Sequence, residues 1–301
     1  MITLSTDRGL VKVEDWKEIA SLPGFIDNLD PRNQKLASII GQYVFPEKIR
    51  CGLSNCHTPH AKGYVANTES GLITNIGKDC GKRYFGIDFE NQSKKFDSDV
   101  KAQNNRESLS KFKNQIETFS ENIKTLREAS KGADWVHKKI KNLTTFGSEI
   151  PSEIVRKLVE MAKTKNGSLL TAQEATEDEI ESIEIMTGKE IKSRPYYTNK
   201  KIAEINGIEA MYPENDLRRI LIIDLDSGIK QIINLDIYTA TASELARHAK
   251  WAGQYEEKFE SAKKSVVFGR ALLTKSNLSP LKHLLNDPVD IISYDSFLKT
   301  L

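Results

Sequence analysis

The stretch "CGLSNCHTPH", residues 51–60, holds two of the three cysteines and two of the five histidines of this 301-residue chain. The third cysteine, Cys80, follows in "NIGKDCGKRYFG", residues 75–86. All three cysteines and two histidines therefore fall within 30 residues, among turn-forming residues and not on an apolar helix face. Buried structural thiols are common in protein cores, but this clustering with histidine is more typical of a metal site.

The segment between Cys56 and Cys80 predicts a small β structure. Short apolar runs at residues 64–66 and 72–74 flank the turn "TESG", which is the pattern of a β-hairpin. A turn then enters a short helix, with Cys80 near its first turn. The order of cysteine loop, hairpin and helix start is that of a treble-clef-like zinc module.

Zinc accounts best for these residue types. It takes four tetrahedral ligands from cysteine thiolates and histidine nitrogens, and the amide dipoles at a helix start stabilise a thiolate such as that of Cys80. We predict Cys51, Cys56, His60 and Cys80 as the ligands of one structural zinc ion per chain. His57 is the alternative fourth ligand, but it directly follows Cys56, and adjacent side chains project in different directions. An iron–sulfur cluster is disfavoured because histidine ligation is uncommon there.

Signals for catalysis are weak in this sequence. It contains no H-E-x-x-H zinc-protease motif, no deaminase signature, no phosphate-binding loop and no G-x-S-x-G nucleophile motif. A nuclease built on a treble clef would use His57 as its base, but we find no second histidine on the following helix to hold a catalytic metal. We therefore predict no catalytic residues, and an enzyme with an unfamiliar site is the third functional alternative.

Outside this segment the apolar spacing indicates helices. Residues 30–43, "DPRNQKLASIIGQY", predict a helix that begins at Asp30 and Pro31. Heptad spacing predicts packed helices along two series of residues: Leu109, Phe112, Ile116, Phe119, Ile123 and Leu126, and then Leu245, Ala252, Phe259, Val266 and Leu273. The segment 217–237 fits a helix or a β-hairpin, and we favour the helix.

These patterns predict a mainly α protein, a helical bundle with coiled-coil-like helices and a small treble-clef-like β-hairpin insert. The predicted segments are an N-terminal helical segment at 1–44, the zinc module at 45–92, a long basic helix or helical hairpin at 93–145, a helical middle region at 146–240 and a long C-terminal helix within 241–301.

Composition favours a soluble, cytoplasmic protein. Hydrophobic residues make up 39% and charged residues 29% of the chain, and the formal net charge is only +2. We find neither the pattern of a secretory signal nor an apolar run of the roughly 18 residues that a membrane span needs. An odd number of cysteines argues against a disulfide framework and for reduced thiols.

Charge is nevertheless unevenly distributed. Residues 91–145 hold twelve Lys or Arg against seven Asp or Glu, and they follow the basic start of the predicted zinc-module helix. A basic arm beside a zinc module is a candidate phosphate-binding surface for DNA or RNA. The predicted nucleic-acid-binding residues are Lys78, Lys82, Arg83, Lys138 and Lys139. The alternative is a protein partner docked on the long helices, because such charge runs often only solvate helix faces.

The sequences "CGLSNCHTPHAKGYV" and "TNIGKDCGKRYFG" resemble a signature shared by uncharacterised bacterial and prophage proteins, and the resemblance extends to "GLVKVEDWKEIASLPGF" near the N-terminus. It implies the same four metal ligands, Cys51, Cys56, His60 and Cys80. It implies no activity, but it suggests a role in phage–host conflict for the adaptor alternative.

Overall fold

The computed structural model describes residues 2–301, of which 56% are helical and 19% lie in strands. The chain divides into two compact units. Unit 1 comprises the residues up to Lys113 together with Leu235–Ala252, and unit 2 comprises Asn114–Asn234 and Gly253–Leu301. Within the described range, none of the helices is both long enough and apolar enough to span a bilayer.

The elements follow one another along the chain in this order: β1 (Ile2–Thr6), β2 (Gly9–Val13), α1 (Trp16–Ala20), β3 (Leu36–Arg50), β4 (Pro59–Thr68), β5 (Ile73–Ile76), α2 (Lys78–Lys113), α3 (Ile116–Glu128), α4 (Ala133–Thr144), α5 (Ser152–Thr164), β6 (Ser168–Glu174), α6 (Glu177–Thr187), β7 (Tyr197–Glu204), α7 (Ser227–Asn234), α8 (Ala242–Gly253), α9 (Tyr255–Leu272), α10 (Lys275–Leu278) and α11 (Pro288–Leu298).

Unit 1 is built on a five-stranded antiparallel sheet with the strand order β2-β1-β3-β4-β5. The long pair of β3 and β4 is interrupted by bulges, one of which lies between Val44 and Ile49. The predicted hairpin is confirmed as the pair of β4 and β5, in which Tyr64 lies opposite Ile76. The hairpin is thus the edge of a larger sheet and not an isolated insert.

The predicted mainly α fold is therefore wrong, because unit 1 is a mixed α and β structure. The error lies in residues 1–44, where β1, β2 and the first part of β3 replace predicted helices. The helical elements of this range are the short α1 and a single 3-10 turn at Pro31–Asn33. In β3 the buried residues Ile39, Gly41 and Tyr43 alternate along the strand. Burial of every second residue is the spacing of a strand, and the glycine in the middle of it disfavours a helix. A bulge between Ile39 and Gly41 places Ile39 and Tyr43 in the clusters on opposite faces of the sheet.

Both faces of the sheet are covered. On one face, Tyr64 and Ala66 of β4 join a buried cluster with Phe89 and Phe96 of α2. On the other face, Val65 belongs to a second cluster that contains residues of β1, β3 and α1. Successive residues of β4 thus point to opposite sides, as in any strand, and the sheet positions α2 on one side.

Helix α2 is held to the sheet by polar contacts as well. Gln92 accepts a hydrogen bond from the backbone of Ile39 at 2.9 Å, and the Tyr64 hydroxyl donates to Asp97 Oδ2 at 2.9 Å. The helix is interrupted at Gly86, whose φ of 57° and ψ of −136° are not helical. Glycine adopts this backbone conformation without the steric cost that other residues have.

Unit 2 is mainly helical, with a two-stranded antiparallel sheet of β6 and β7. The ambiguous segment 217–237 is helical, since a π-helical stretch at Arg219–Asp226 continues into α7. The predicted C-terminal helix is broken at Gln254 into α8 and α9. In α9 the heptad residues Phe259 and Val266 are buried, as is Leu273 directly after the helix, whereas the packing that the heptad spacing predicts stays a prediction.

Helices α4 and α9 approach closely at a glycine. A Cβ on Gly269 would lie 2.1 Å from Val136 Cγ1, whereas a Cβ on Gly253 would meet nothing within 4 Å. We expect Gly269→Ala to lower the free energy of unfolding of unit 2 by about 1–3 kcal/mol, the usual cost of overpacking. The matched change Gly253→Ala should cost less than about 0.5 kcal/mol, and adding Val136→Ala to Gly269→Ala should restore part of the loss. Chemical denaturation measures all three, and equal effects at the two glycines would contradict the close approach.

Candidate metal centre

The loop between β3 and β4 and the start of α2 bring the cysteines of unit 1 together. Cys51 directly follows β3, Cys56 lies in the loop between β3 and β4, and Cys80 is in the first turn of α2. Their sulfur atoms all lie within 4.8 Å of one another, and Cys56 Sγ is 3.1 Å from Cys80 Sγ. Sulfur atoms around one tetrahedral zinc ion are about 3.8 Å apart, given Zn–S bonds of about 2.3 Å. The three cysteines are thus close enough to bind one metal ion.

Hydrogen bonds to two of the sulfurs come from the surrounding backbone. The amides of Leu53 and Gly77 donate to Cys51 Sγ, and the amide of Thr58 donates to Cys56 Sγ. The Thr58 hydroxyl also lies 3.4 Å from Cys56 Sγ. Cys51 and Cys56 each accept a bond from the amide two residues further on. Such donors favour the thiolate over the thiol, and the thiolate is the form that binds a metal.

The pKa values of the three thiols differ for physical reasons. The hydrogen bond from Thr58 lowers the pKa of Cys56 to about 7. Burial raises the pKa of Cys51, and burial followed by the hydrogen bond with Cys56 raises the pKa of Cys80 to about 12. Three neighbouring thiolates repel one another without a cation, whereas a bound metal ion deprotonates its coordinating thiols. The donor set therefore suits a divalent ion that prefers sulfur.

The structure does not bring His60 to the three sulfurs. Its Nδ1 lies 3.1 Å from the carbonyl oxygen of Thr58, and its Nε2 lies 2.5 Å from the Tyr43 hydroxyl. Because a carbonyl only accepts, Nδ1 carries the proton and Nε2 accepts from Tyr43. The hydroxyl of Tyr43 in turn accepts a bond from Asn75 Nδ2 at 3.2 Å. Both ring nitrogens of His60 are therefore engaged in a network that crosses from β3 to β5.

His57 is also outside the group of three sulfurs. Its Nδ1 lies 3.3 Å from the carbonyl oxygen of Cys51, and its backbone has a left-handed φ of 56°. This conformation is uncommon for a residue other than glycine, and it lets the chain turn back after Cys56. Among residues 2–301, the mutually close ligand atoms at this place are the three cysteine sulfurs, so the choice between His60 and His57 as fourth ligand stays a prediction.

The predicted nucleic-acid-binding residues belong to two different units. Lys78, Lys82 and Arg83 are exposed on the first two turns of α2 in unit 1, and Lys82 Nζ forms an ion pair with Glu90 at 2.7 Å. Lys138 and Lys139 lie on α4 in unit 2. The Nζ of Lys139 donates to the Thr300 hydroxyl at 2.5 Å, and burial lowers the pKa of Lys139. Of the five predicted residues, only Lys82 makes an ion pair with another residue in the described part of the chain.

Comparison of the chain with models of protein families, with curated proteins and with solved structures finds no match.

Proposed function

We propose that the chain binds one zinc ion through Cys51, Cys56 and Cys80. The observation that supports it best is the convergence of three sulfurs, two from the loop after β3 and one from the start of α2, to within 4.8 Å, two of them already accepting amide hydrogen bonds. Zinc prefers thiolate and imidazole ligands in a tetrahedral arrangement. The fourth position belongs to His60 or His57, either of which needs to rotate toward the sulfurs.

The proposed role of the ion is structural. Cys51 is only 1% exposed and packs in the same buried cluster as Phe89 and Tyr64. An ion at this place ties the end of β3 and the loop after it to the first turn of α2. Structural zinc sites of this kind contribute directly to folding, and they hold the elements that carry a binding surface.

We propose nucleic acid as the partner of the surface beside this centre. Lys78 and Arg83 are exposed at the start of α2 and have no carboxylate partner among the described residues. Phosphate groups attract unpaired cations, and amides at a helix start favour anions. The ion pair of Lys82 with Glu90 makes Lys82 the weaker contributor of the three.

The test is a titration of the protein with duplex DNA, single-stranded DNA and RNA at low and physiological salt. We expect binding that weakens steeply as salt rises, because each phosphate contact releases counterions. The double variant Lys78→Glu and Arg83→Glu should lower the affinity at least about tenfold and reduce the salt dependence by roughly two contacts.

The matched control is the double variant Lys95→Glu and Lys101→Glu, which reverses two exposed charges further along the same helix. It should bind nucleic acid more tightly than the Lys78 and Arg83 variant while zinc content and melting temperature stay the same in both. Absence of binding to all three nucleic acids at low salt would reject this partner and leave the protein-partner alternative. Equal losses in both variants would reject α2's first turns as the binding surface.

A further inference from the structure

A cavity of about 550 Å³ opens in unit 1 beside the candidate metal centre. Its size is within the range of pockets that bind small organic ligands. Its walls are formed by Trp16, Ala20, Phe25, Asp27, Asn28, Ile49, Arg50, Cys51, His57 and Asn75. Two of these residues, Cys51 and His57, place the cavity directly against the cysteine loop.

Several polar groups of this cavity lack a partner. Asp27, Asn28 and Arg50 are exposed where they line the cavity, and their side chains form no hydrogen bond or ion pair with another residue in the described range 2–301. Asp27 and Arg50 carry opposite charges and share the cavity, yet they are not paired with each other. Because both groups are exposed and unpaired, each can contact a charged or polar ligand that enters the cavity.

The most buried polar side chain of the cavity, that of Asn75, keeps one acceptor accessible. Asn75 is 2% exposed, and its Nδ2 donates to the Arg50 carbonyl oxygen at 2.8 Å and to the Tyr43 hydroxyl at 3.2 Å. Its Oδ1 accepts no hydrogen bond from the residues that the structure describes. This oxygen is not among the buried unsatisfied atoms, so it is accessible and can accept a hydrogen bond from water or from a ligand in the cavity that the side chain lines.

Two aromatic rings complete the lining. Trp16 and Phe25 are half-buried, and their ring centroids are 6.1 Å apart in an edge-to-face arrangement. Trp16 also makes edge-to-face contacts with Tyr43 and Phe45, at centroid distances of 5.1 and 6.0 Å. Partly exposed aromatic side chains held in this way offer a stacking surface to a planar ring.

We infer that this cavity binds the base of a nucleotide, with the base against the aromatic side and Arg50 on the phosphate. The inference rests on the proposed function and names what the surface beside the metal centre recognises. Asp27 and Asn75 Oδ1 are hydrogen-bond acceptors, and the cavity therefore favours a base edge rich in N–H donors. Guanine presents two adjacent donors, N1–H and the N2 amino group, which a carboxylate accepts together, whereas uracil presents one.

The experiment titrates the purified full chain with the four 5′-mononucleotides and with guanosine by calorimetry, and separately with single-stranded oligonucleotides. We expect GMP to bind about tenfold more tightly than UMP, the usual discrimination of one bidentate contact. Asp27→Asn should lower the affinity for GMP about tenfold and abolish the preference over UMP. Arg50→Ala should weaken all four nucleotides about fivefold or more and leave guanosine unchanged.

The exposed Glu18→Gln on α1, which is outside the cavity wall, is the matched control and should bind GMP as the unaltered chain does. The Lys78→Glu and Arg83→Glu variant should also keep its affinity for GMP. Binding of GMP without any oligonucleotide binding would support the cavity, with a free nucleotide as its ligand, and would reject the proposed function. Oligonucleotide binding that is unaffected by Asp27→Asn and Arg50→Ala would reject the cavity and leave the proposed function standing. Absence of binding to every mononucleotide and oligonucleotide would reject both.

Discussion

Removal of zinc should destabilise unit 1 by at least about 3 kcal/mol, because metal binding supplies folding free energy where the ligands come from separate elements. Cys51, Cys56 and Cys80 connect the end of β3, the following loop and the start of α2. Without the ion, the buried thiol of Cys51 and the partly buried thiol of Cys80 have raised pKa values and stay protonated beside each other. Hydrogen exchange measured by mass spectrometry should show faster exchange across β4, β5 and the first turns of α2 after chelation.

Two further measurements make this result specific. Amides of α9 in unit 2 should exchange at the same rate before and after chelation, since its buried residues belong to a different compact unit. Cys80→Ser should reproduce the effect of the chelator, and the chelator should add nothing to this variant. Less than half an equivalent of zinc in protein purified without added metal, unchanged by Cys80→Ser, would contradict the zinc site.

The sequence predicts the cysteine cluster because its determinants are local. Cys51 and Cys56 lie in one loop, and Cys80 follows a hairpin whose turn residues are visible in "TESG". A hairpin fixes the distance between its ends, so the return of the chain to the first two cysteines follows from short-range signals. The strand and helix start that carry Cys80 are those that the pattern predicts.

The position of His60 depends on a longer-range contact. Its partner Tyr43 is 17 residues away along the chain, and the two meet because β3 and β4 pair. When residues 36–43 are interpreted as a helix, nothing in the sequence indicates that Tyr43 contacts His60. Ligand spacing alone therefore favours His60 as a metal ligand, although in the structure its Nε2 accepts from a buried hydroxyl.

The sequence pattern does not reveal the sheet of unit 1 either, because the sheet also depends on long-range contacts. The apolar residues Leu36, Ile39, Ile40 and Tyr43 fit the spacing of a helix face, but the segment pairs with β1 on one side and β4 on the other. The spacing of apolar residues within the segment gives no information about its pairing with β1 or β4. Local propensity is overridden where long-range pairing buries both faces of a strand, and here the clusters on the two faces do so.

Replacement of Phe259 by Ala should lower the free energy of unfolding of unit 2 by about 3–5 kcal/mol, the usual cost of removing a buried phenyl ring. Phe259 is 5% exposed and stacks on Tyr255 at a centroid distance of 5.9 Å. Tyr255 in turn packs on Phe119 at 4.2 Å, and its hydroxyl donates to the Phe119 carbonyl oxygen at 3.1 Å. Removal of the Phe259 ring leaves a cavity beside the contact of Tyr255 in α9 with Phe119 in α3.

The control for this variant is Val267→Ala on the same helix, because Val267 is 62% exposed. It should change the free energy of unfolding by less than about 0.5 kcal/mol. Phe259→Leu should lie between the two, since leucine refills part of the space. Chemical denaturation followed by hydrogen exchange in α3 and α9 measures the three variants, and faster exchange should appear in both helices for Phe259→Ala. Equal effects of Phe259→Ala and Val267→Ala would show that this side of α9 is not packed in the core of unit 2, and the heptad prediction for the C-terminal region would then fail together with it.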